Sequence, residues 1–234
     1  MSLKSTKPLV SVIIPALNEQ NAVGHVLNEI PMTVVREVIV VDNGSVDNTS
    51  DVAKKNGATV LYESRKGYGN ACLKALTYIK ESQTRPDIVV FLDADHSDYP
   101  EELPKLIQPI VNDHADLVIG SRALGHKESG SMTFPQVFGN WLATRLIKLF
   151  YGVPFTDLGP FRAIRYSSLL ALQMKDKNYG WTVEMQLKSA RLKLRNTEVP
   201  VNYRRRIGVS KVSGTVKGTI MAGYKILFTI FRYL

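Results

Sequence analysis

Ile88-Val89-Val90-Phe91-Leu92-Asp93-Ala94-Asp95 is the stretch on which the reading of this chain turns. Its five apolar residues form a run too short for an independent helix and suited to a strand buried on both faces. Two carboxylates follow at once, one residue apart, and Pro100-Glu101-Glu102-Leu103 then opens a helical pattern. Such a pair of charges at the rim of a sheet is costly unless something positive lies between them, and a hard divalent cation with its diphosphate is the usual solution. The competing reading makes Asp95 or Ser97 a helix N-cap and leaves the other acids solvated on a loop.

Working outward, residues 10–14, 37–41, 58–61 and 117–119 read as further short, β-branched strands, and residues 19–30, 48–56, 69–80 and 100–111 read as helices. Strands alternating with helices predict an α/β fold, a mostly parallel sheet flanked by helices, with its ligand crevice beyond the carboxyl ends of the strands. The polar clusters fall at those ends: Pro15-Ala16-Leu17-Asn18-Glu19 after the first strand, Asp42-Asn43-Gly44-Ser45 after the second, the acidic pair after the fourth. Turn chemistry explains each cluster singly but not their convergence. Beyond Gly120 the pattern predicts a mobile loop over 121–134, a helix over 135–150, a strand near 161–164, a helix over 182–192 and a strand over 197–203. The closing segment, 215–234, reads as an amphipathic helix that either lies in a membrane interface or docks on the core.

With 234 residues and 44% hydrophobic content, the chain can bury its core as one domain, residues 1–234. Cys72, the single cysteine, excludes an internal disulfide and reads as a small core residue. No run of about 18 apolar residues is present and residues 1–8 lack a signal-peptide core, so a cytoplasmic location is expected. Charge divides unevenly. Residues 1–121 carry 11 Lys+Arg against 16 Asp+Glu, net −5, and residues 122–234 carry 19 against 5, net +14. The second half therefore calls for an anionic partner, a phosphate or an anionic membrane surface; no nucleic-acid-binding pattern appears, so none is expected. The histidines share no ligand spacing, which argues against structural zinc.

Taken in order, Val12-Ile13-Ile14-Pro15-Ala16-Leu17-Asn18-Glu19, Val40-Val41-Asp42-Asn43-Gly44-Ser45, Lys66-Gly67-x-Gly69-Asn70-Ala71, Asp93-Ala94-Asp95, Gly120-Ser121-Arg122 and Arg206-x-Gly208-x-Ser210-Lys211 resemble the inverting glycosyltransferases of family 2, with the GT-A fold. The likeness spans nearly the whole chain and is nearest to the dolichyl- and polyprenyl-phosphate sugar transferases. It implies a nucleotide-sugar-binding half over 1–121, an acceptor half over 122–214 and the amphipathic helix after it.

The same resemblance implies roles. Pro15, Ala16, Asn18, Glu19, Asp42, Gly44 and Ser45 would hold the nucleotide, and Lys66-Gly67 its phosphates at a helix N-terminus. Asp93, Ala94 and Asp95 would line the donor site, with Asp93 and Asp95 holding Mg2+ or Mn2+ across the diphosphate, and Arg122 adding positive charge. Asp157 resembles the acidic position near the acceptor, while Arg162, Arg204, Arg206, Ser210 and Lys211 would meet acceptor or donor phosphate. A lipid-phosphate acceptor is already anionic and needs no general base; a sugar hydroxyl needs one, with Asp157 or Glu184 the candidates. The expected partners are thus a nucleotide-sugar donor (UDP- or GDP-sugar), a polyprenyl-phosphate or other glycosyl acceptor, and a membrane surface touched peripherally. Two rivals lie within enzymes, a glycosyltransferase acting on a saccharide or small-molecule hydroxyl and a nucleotidyltransferase; the rival of another class is a non-catalytic basic module that binds a membrane surface or nucleic acid. Two departures from the lipid-phosphate mannosyltransferases stand out: Ser97 where they commonly place glutamine, and Thr133-Phe134-Pro135-Gln136-Val137 where they bring basic residues.

Overall fold

Val10, Val12 and Ile14 point to one face of their strand and Ile13 to the other, all four shut from solvent, as expected of a strand covered on both sides. The structure, a computed structural model, describes residues 7–210 and 216–233. Seven strands join one sheet: β1 (Val10–Ala16), β2 (Glu37–Asp42), β3 (Thr59–Tyr62), β4 (Ile88–Phe91), β5 (Leu117–Ser121), β6 (Arg162–Arg165) and β7 (Asn196–Pro200), in the order β3-β2-β1-β4-β6-β5-β7. All neighbours are parallel except β6, which runs against both β4 and β5.

Helices cover both faces. Against one lie α1 (Val23–Glu29), α2 (Thr49–Lys55) and α4 (Leu103–Val111), through Val26, Ala53 and Leu106. Against the other lie α3 (Tyr68–Glu81), α5 (Phe134–Tyr151), α6 (Tyr166–Leu172), α7 (Trp181–Arg191) and α8 (Val216–Arg232), through Ala75, Ile147, Leu169, Trp181 and Ile230. Cys72 lies wholly buried in that second core.

Boundaries depart from the sequence reading where side chains intervene. The first helix begins at Val23 rather than residue 19; ahead of it the backbone N–H groups of Glu19 and Gln20 donate to Thr49 Oγ1 (2.8 Å) and Asp47 Oδ2 (3.2 Å), which ties the loop after β1 to the start of α2. The helix expected from residue 100 opens with a 3-10 turn, Pro100–Glu102, before α4. The last strand stops at Pro200, and Tyr203 makes only isolated bridges to Asp98 and Lys127. α5 starts at a Thr133–Gln136 capping box and ends at Gly152, whose φ of 74° suits glycine. α6 was not anticipated.

Candidate active site

Parallel register sets Ala16 beside Asp42, and the Leu92 N–H donates to Ile13 O at 3.1 Å, so the carboxyl ends of β1, β2 and β4 open on one rim. A cavity of about 270 Å³ lies there, lined by Pro15, Ala16, Glu19, Lys66, Gly67, Asp93, Ala94, Asp95, Arg206 and Ser210. Asn18, Asp42, Gly44 and Ser45, also expected at the nucleotide, build the wall behind it. The Asn18 N–H donates to Ser45 Oγ (2.9 Å) and the Val46 N–H donates to Asn18 Oδ1 (2.9 Å). Asp42 accepts from the Ser45 N–H at 2.7 Å and from the Ser50 hydroxyl; burial opposes its charge, yet these bonds hold its pKa below the usual range.

Asn43, in the motif that follows β2, carries no mark of its own in the sequence. Its Nδ2 donates to the Glu63 and Arg65 carbonyls (2.9 and 2.8 Å) and its Oδ1 accepts from the Gly67 N–H (2.7 Å), which fastens the loop before α3 to the end of β2. Lys66 Nζ rests on the Asn43 and Gly44 carbonyls (3.2 and 2.7 Å). Gly67 sits at φ 133°, where a Cβ would stand 2.2 Å from Lys177 O, so no other residue fits.

The acids are held in different states. Asp93 Oδ1 is closed off from solvent with no hydrogen-bond partner, and burial together with the neighbouring Asp95 charge pushes its pKa up to about 7. Asp95 is satisfied: it accepts from the Ser97 N–H (2.9 Å) and hydroxyl (2.5 Å) and pairs with Arg206 at 3.0 Å. Arg206 also reaches Glu19, 2.8 Å away, so one guanidinium bridges two carboxylates that line this cavity. Asp98 is a further buried acid, neither of whose oxygens has a partner; burial, then Asp93 and Asp95, raise its pKa well above normal. Its signal in the sequence was a third carboxylate five residues after Asp93.

Orphaned acidic oxygens at this rim fit a cation, since buried polar atoms rarely go unpaired. Among the described residues no three of His, Cys, Asp or Glu cluster as a metal cage. A divalent ion held by Asp93 and Asp95 would complete its shell with water and substrate phosphate, the habit of Mg2+.

A second cavity, about 340 Å³, shares Asp93, Asp95, Tyr179 and Arg206 with the first and extends past Arg122 and Tyr203 to Pro135, Gly139, Ala222, Gly223 and Ile226 on α5 and α8. Arg122 grips the buried Asp157 in a fork (Nε–Oδ2 2.8 Å, Nη2–Oδ1 2.7 Å), lies 5.0 Å from the Tyr203 ring, and has a raised pKa despite burial. Burial would lift Asp157, but Arg122 holds it below the usual carboxylate range. That clamp makes Asp157 a poor general base and an anchor for Arg122 instead.

Three expected phosphate or acceptor groups are placed elsewhere. Arg162 is fully buried and donates to the Leu158, Gly159 and Thr182 carbonyls, so it props the loop before β6 rather than facing phosphate. Glu184, also fully buried, accepts from the Lys175 and Asp176 N–H groups and the Tyr233 hydroxyl, which removes it as a base. Arg204 pairs with Glu29, donates to the His96 and Asp98 carbonyls and stacks on Tyr99, outside both cavities. Lys211 lies outside the described residues. Asn178 and Tyr179, which line both cavities, were missed because no local pattern marks a loop that reaches the site from the far half of the chain.

A mostly parallel sheet with glycines and paired acids at its carboxyl rim is the frame in which the comparisons with known proteins are read. Residues 11–172 match the family model for glycosyl transferase family 2. An uncharacterised glycosyltransferase of Mycobacterium tuberculosis is 35% identical over 91% of this chain and 94% of its own. The undecaprenyl-phosphate mannosyltransferase of Micrococcus luteus is 33% identical over 89% of each. The UDP-N-acetylglucosamine–dolichyl-phosphate N-acetylglucosaminyltransferase of Methanococcus voltae is 30% identical over 95% of this chain and 94% of its own. Among solved structures, glucosyl-3-phosphoglycerate synthase of M. tuberculosis with Mn2+, UDP and product superposes with a TM-score of 0.75 at 22% identity, over 97% of this chain and 80% of that one. The chain belongs to glycosyl transferase family 2 and is a glycosyltransferase of GT-A fold.

Proposed function

We propose that this enzyme moves a sugar, with inversion, from a nucleoside-diphosphate donor to a polyprenyl phosphate at a cytoplasmic membrane surface. The carrying observation is the pair of cavities that share Asp93, Asp95 and Arg206: one meets Lys66, and the other leads from the same acids to a mixed wall on α5 (Pro135, Gln136, Gly139, Asn140) and an apolar one on α8 (Ala222, Gly223, Ile226). Two relatives whose names carry a polyprenyl- or dolichyl-phosphate acceptor support the choice.

The chain's own groups divide the work. Pro15, Ala16 and Glu19 border the nucleotide, over the wall built by Asn18, Asp42, Gly44 and Ser45, while Lys66 and the Gly67 backbone face its phosphates. Asp93 and Asp95 would hold a divalent ion, Mn2+ or Mg2+, which when bound would supply positive charge against the negative charge developing on the leaving diphosphate. Arg206 exchanges its carboxylate partners for diphosphate, with Ser210 beside it. Arg122, braced by Asp157 and Tyr203, faces the acceptor phosphate. An anionic acceptor needs no proton removed, which suits a site whose acids are clamped or buried.

The test is a thermal-shift panel of UDP- and GDP-sugars with and without Mn2+, followed by incubation of the stabilising, labelled donor with polyprenyl phosphate. Metal-dependent stabilisation and label in the organic phase are expected. Label only in a water-soluble saccharide would replace the lipid acceptor with a hydroxyl, and release of pyrophosphate would replace glycosyl with nucleotidyl transfer.

A further inference from the structure

The loop from α6 to α7 carries Asn178 and Tyr179 to the wall of both cavities, and its seat is unusually specified. From below, the Lys177 carbonyl accepts from the Asn70 N–H (3.0 Å), and the Asp176 and Lys177 carbonyls lie against Gly69 and Gly67, where added Cβ atoms would stand 2.0 and 2.2 Å away. Within the loop, Asp176 Oδ1 accepts from the Asn178 and Gly180 N–H groups (2.8 and 3.1 Å). From above, Lys188 on α7 pairs with Glu184 at 2.7 Å, and further fastening comes from Lys225 on α8 and Tyr233 just past it. Lys225 Nζ pairs with Asp176 Oδ2 at 2.9 Å, and the Tyr233 hydroxyl donates to Glu184 at 2.6 Å. Glu184 in turn accepts from the Lys175 and Asp176 N–H groups.

We propose that Lys225 and Tyr233 are positioning residues of the donor crevice, holding residues 175–180 in the seat from which Asn178 and Tyr179 line the cavity beside Asp93. Neither touches the substrate; both act through Asp176 and Glu184. The helix that walls the acceptor side through Ala222, Gly223 and Ile226 thereby also sets one wall of the donor side. The inference rests on the donor reading given above.

Hydrogen exchange and titration calorimetry on the full chain separate the possibilities, using UDP and GDP, each with Mn2+, as probes. Lys225→Ala and Tyr233→Phe should speed exchange at the amides of Lys175, Asp176, Asn178 and Gly180. They should also weaken diphosphate binding about tenfold, the scale of one lost charge-assisted bond. Lys225→Arg should restore both, with melting temperatures within a few degrees of wild type throughout. Unchanged exchange and affinity in folded Lys225→Ala would overturn the proposal alone. Faster exchange with no diphosphate bound even by the wild-type chain would overturn the donor reading and, with it, the proposal.

Discussion

Asp93, proposed above as a cation ligand, shows how one buried side chain can cost stability. A carboxyl raised to about 7 in the fold and near 3.8 when unfolded binds more protons folded than unfolded between those values, so its contribution to stability falls as pH rises through that window. In chelator, Asp93→Asn should therefore melt higher than wild type at pH 8, by a few degrees, and the gain should vanish near pH 4. The same variant should lose Mn2+-dependent stabilisation by donor. Arg206 gives the opposite signature. Bridging Asp95 and Glu19, it competes with any cation for those acids. Arg206→Gln should bind Mn2+ more tightly without donor, yet bind nucleoside diphosphate roughly tenfold more weakly with it, both readable by calorimetry.

Among the elements, α5 and α8 present the apolar surface that most needs a partner. Phe134, Phe138 and Trp141 form an exposed ring file on α5, with ring centroids 6.3 and 5.8 Å apart. Ile220, Met221, Tyr224, Phe228 and Phe231 are exposed on α8, and Phe150 meets Phe231 edge-on. Arg145, Lys148 and Arg232 stand exposed on these helices. No helix among the described residues is long and apolar enough to cross a membrane, and this mixture suits one lying on an anionic leaflet. The chain should co-sediment with vesicles containing phosphatidylglycerol, and a Phe138→Asp, Phe228→Asp double variant should not, while keeping its melting temperature within a few degrees. An exposed pair costs little to replace, so a large loss of stability would mean the helices dock on protein instead. α5 was expected over 135–150 and spans Phe134–Tyr151. α6, seven residues with no cap signal, was not.

For the molecule as a whole, the strands and their polar ends were legible because burial on both faces leaves short β-branched runs, and the α/β class expected from their alternation is the one observed. The cluster of acids at the β4 end was equally plain. What stayed hidden was partnership. Arg162 and Glu184 look like site charges in a sequence, and only the folded chain reveals that carbonyls and amides already occupy them. Strand direction was hidden as well, since residues 162–165 carry no mark that β6 runs backwards.

That reversal has a consequence for how such a protein can change. Ser121 leaves the sheet, and Arg162 rejoins it, at the same edge, where the Gly120 N–H meets Phe161 O at 2.9 Å. Residues 122–161 are therefore a detour that starts and finishes at one doorway, so its length can change without rethreading a strand as long as the replacement still fills the core where Ala143, Ile147, Phe155 and Leu158 sit. On the function proposed above, evolution could then alter what receives the sugar while the strands that position the delivering residues stay as they are.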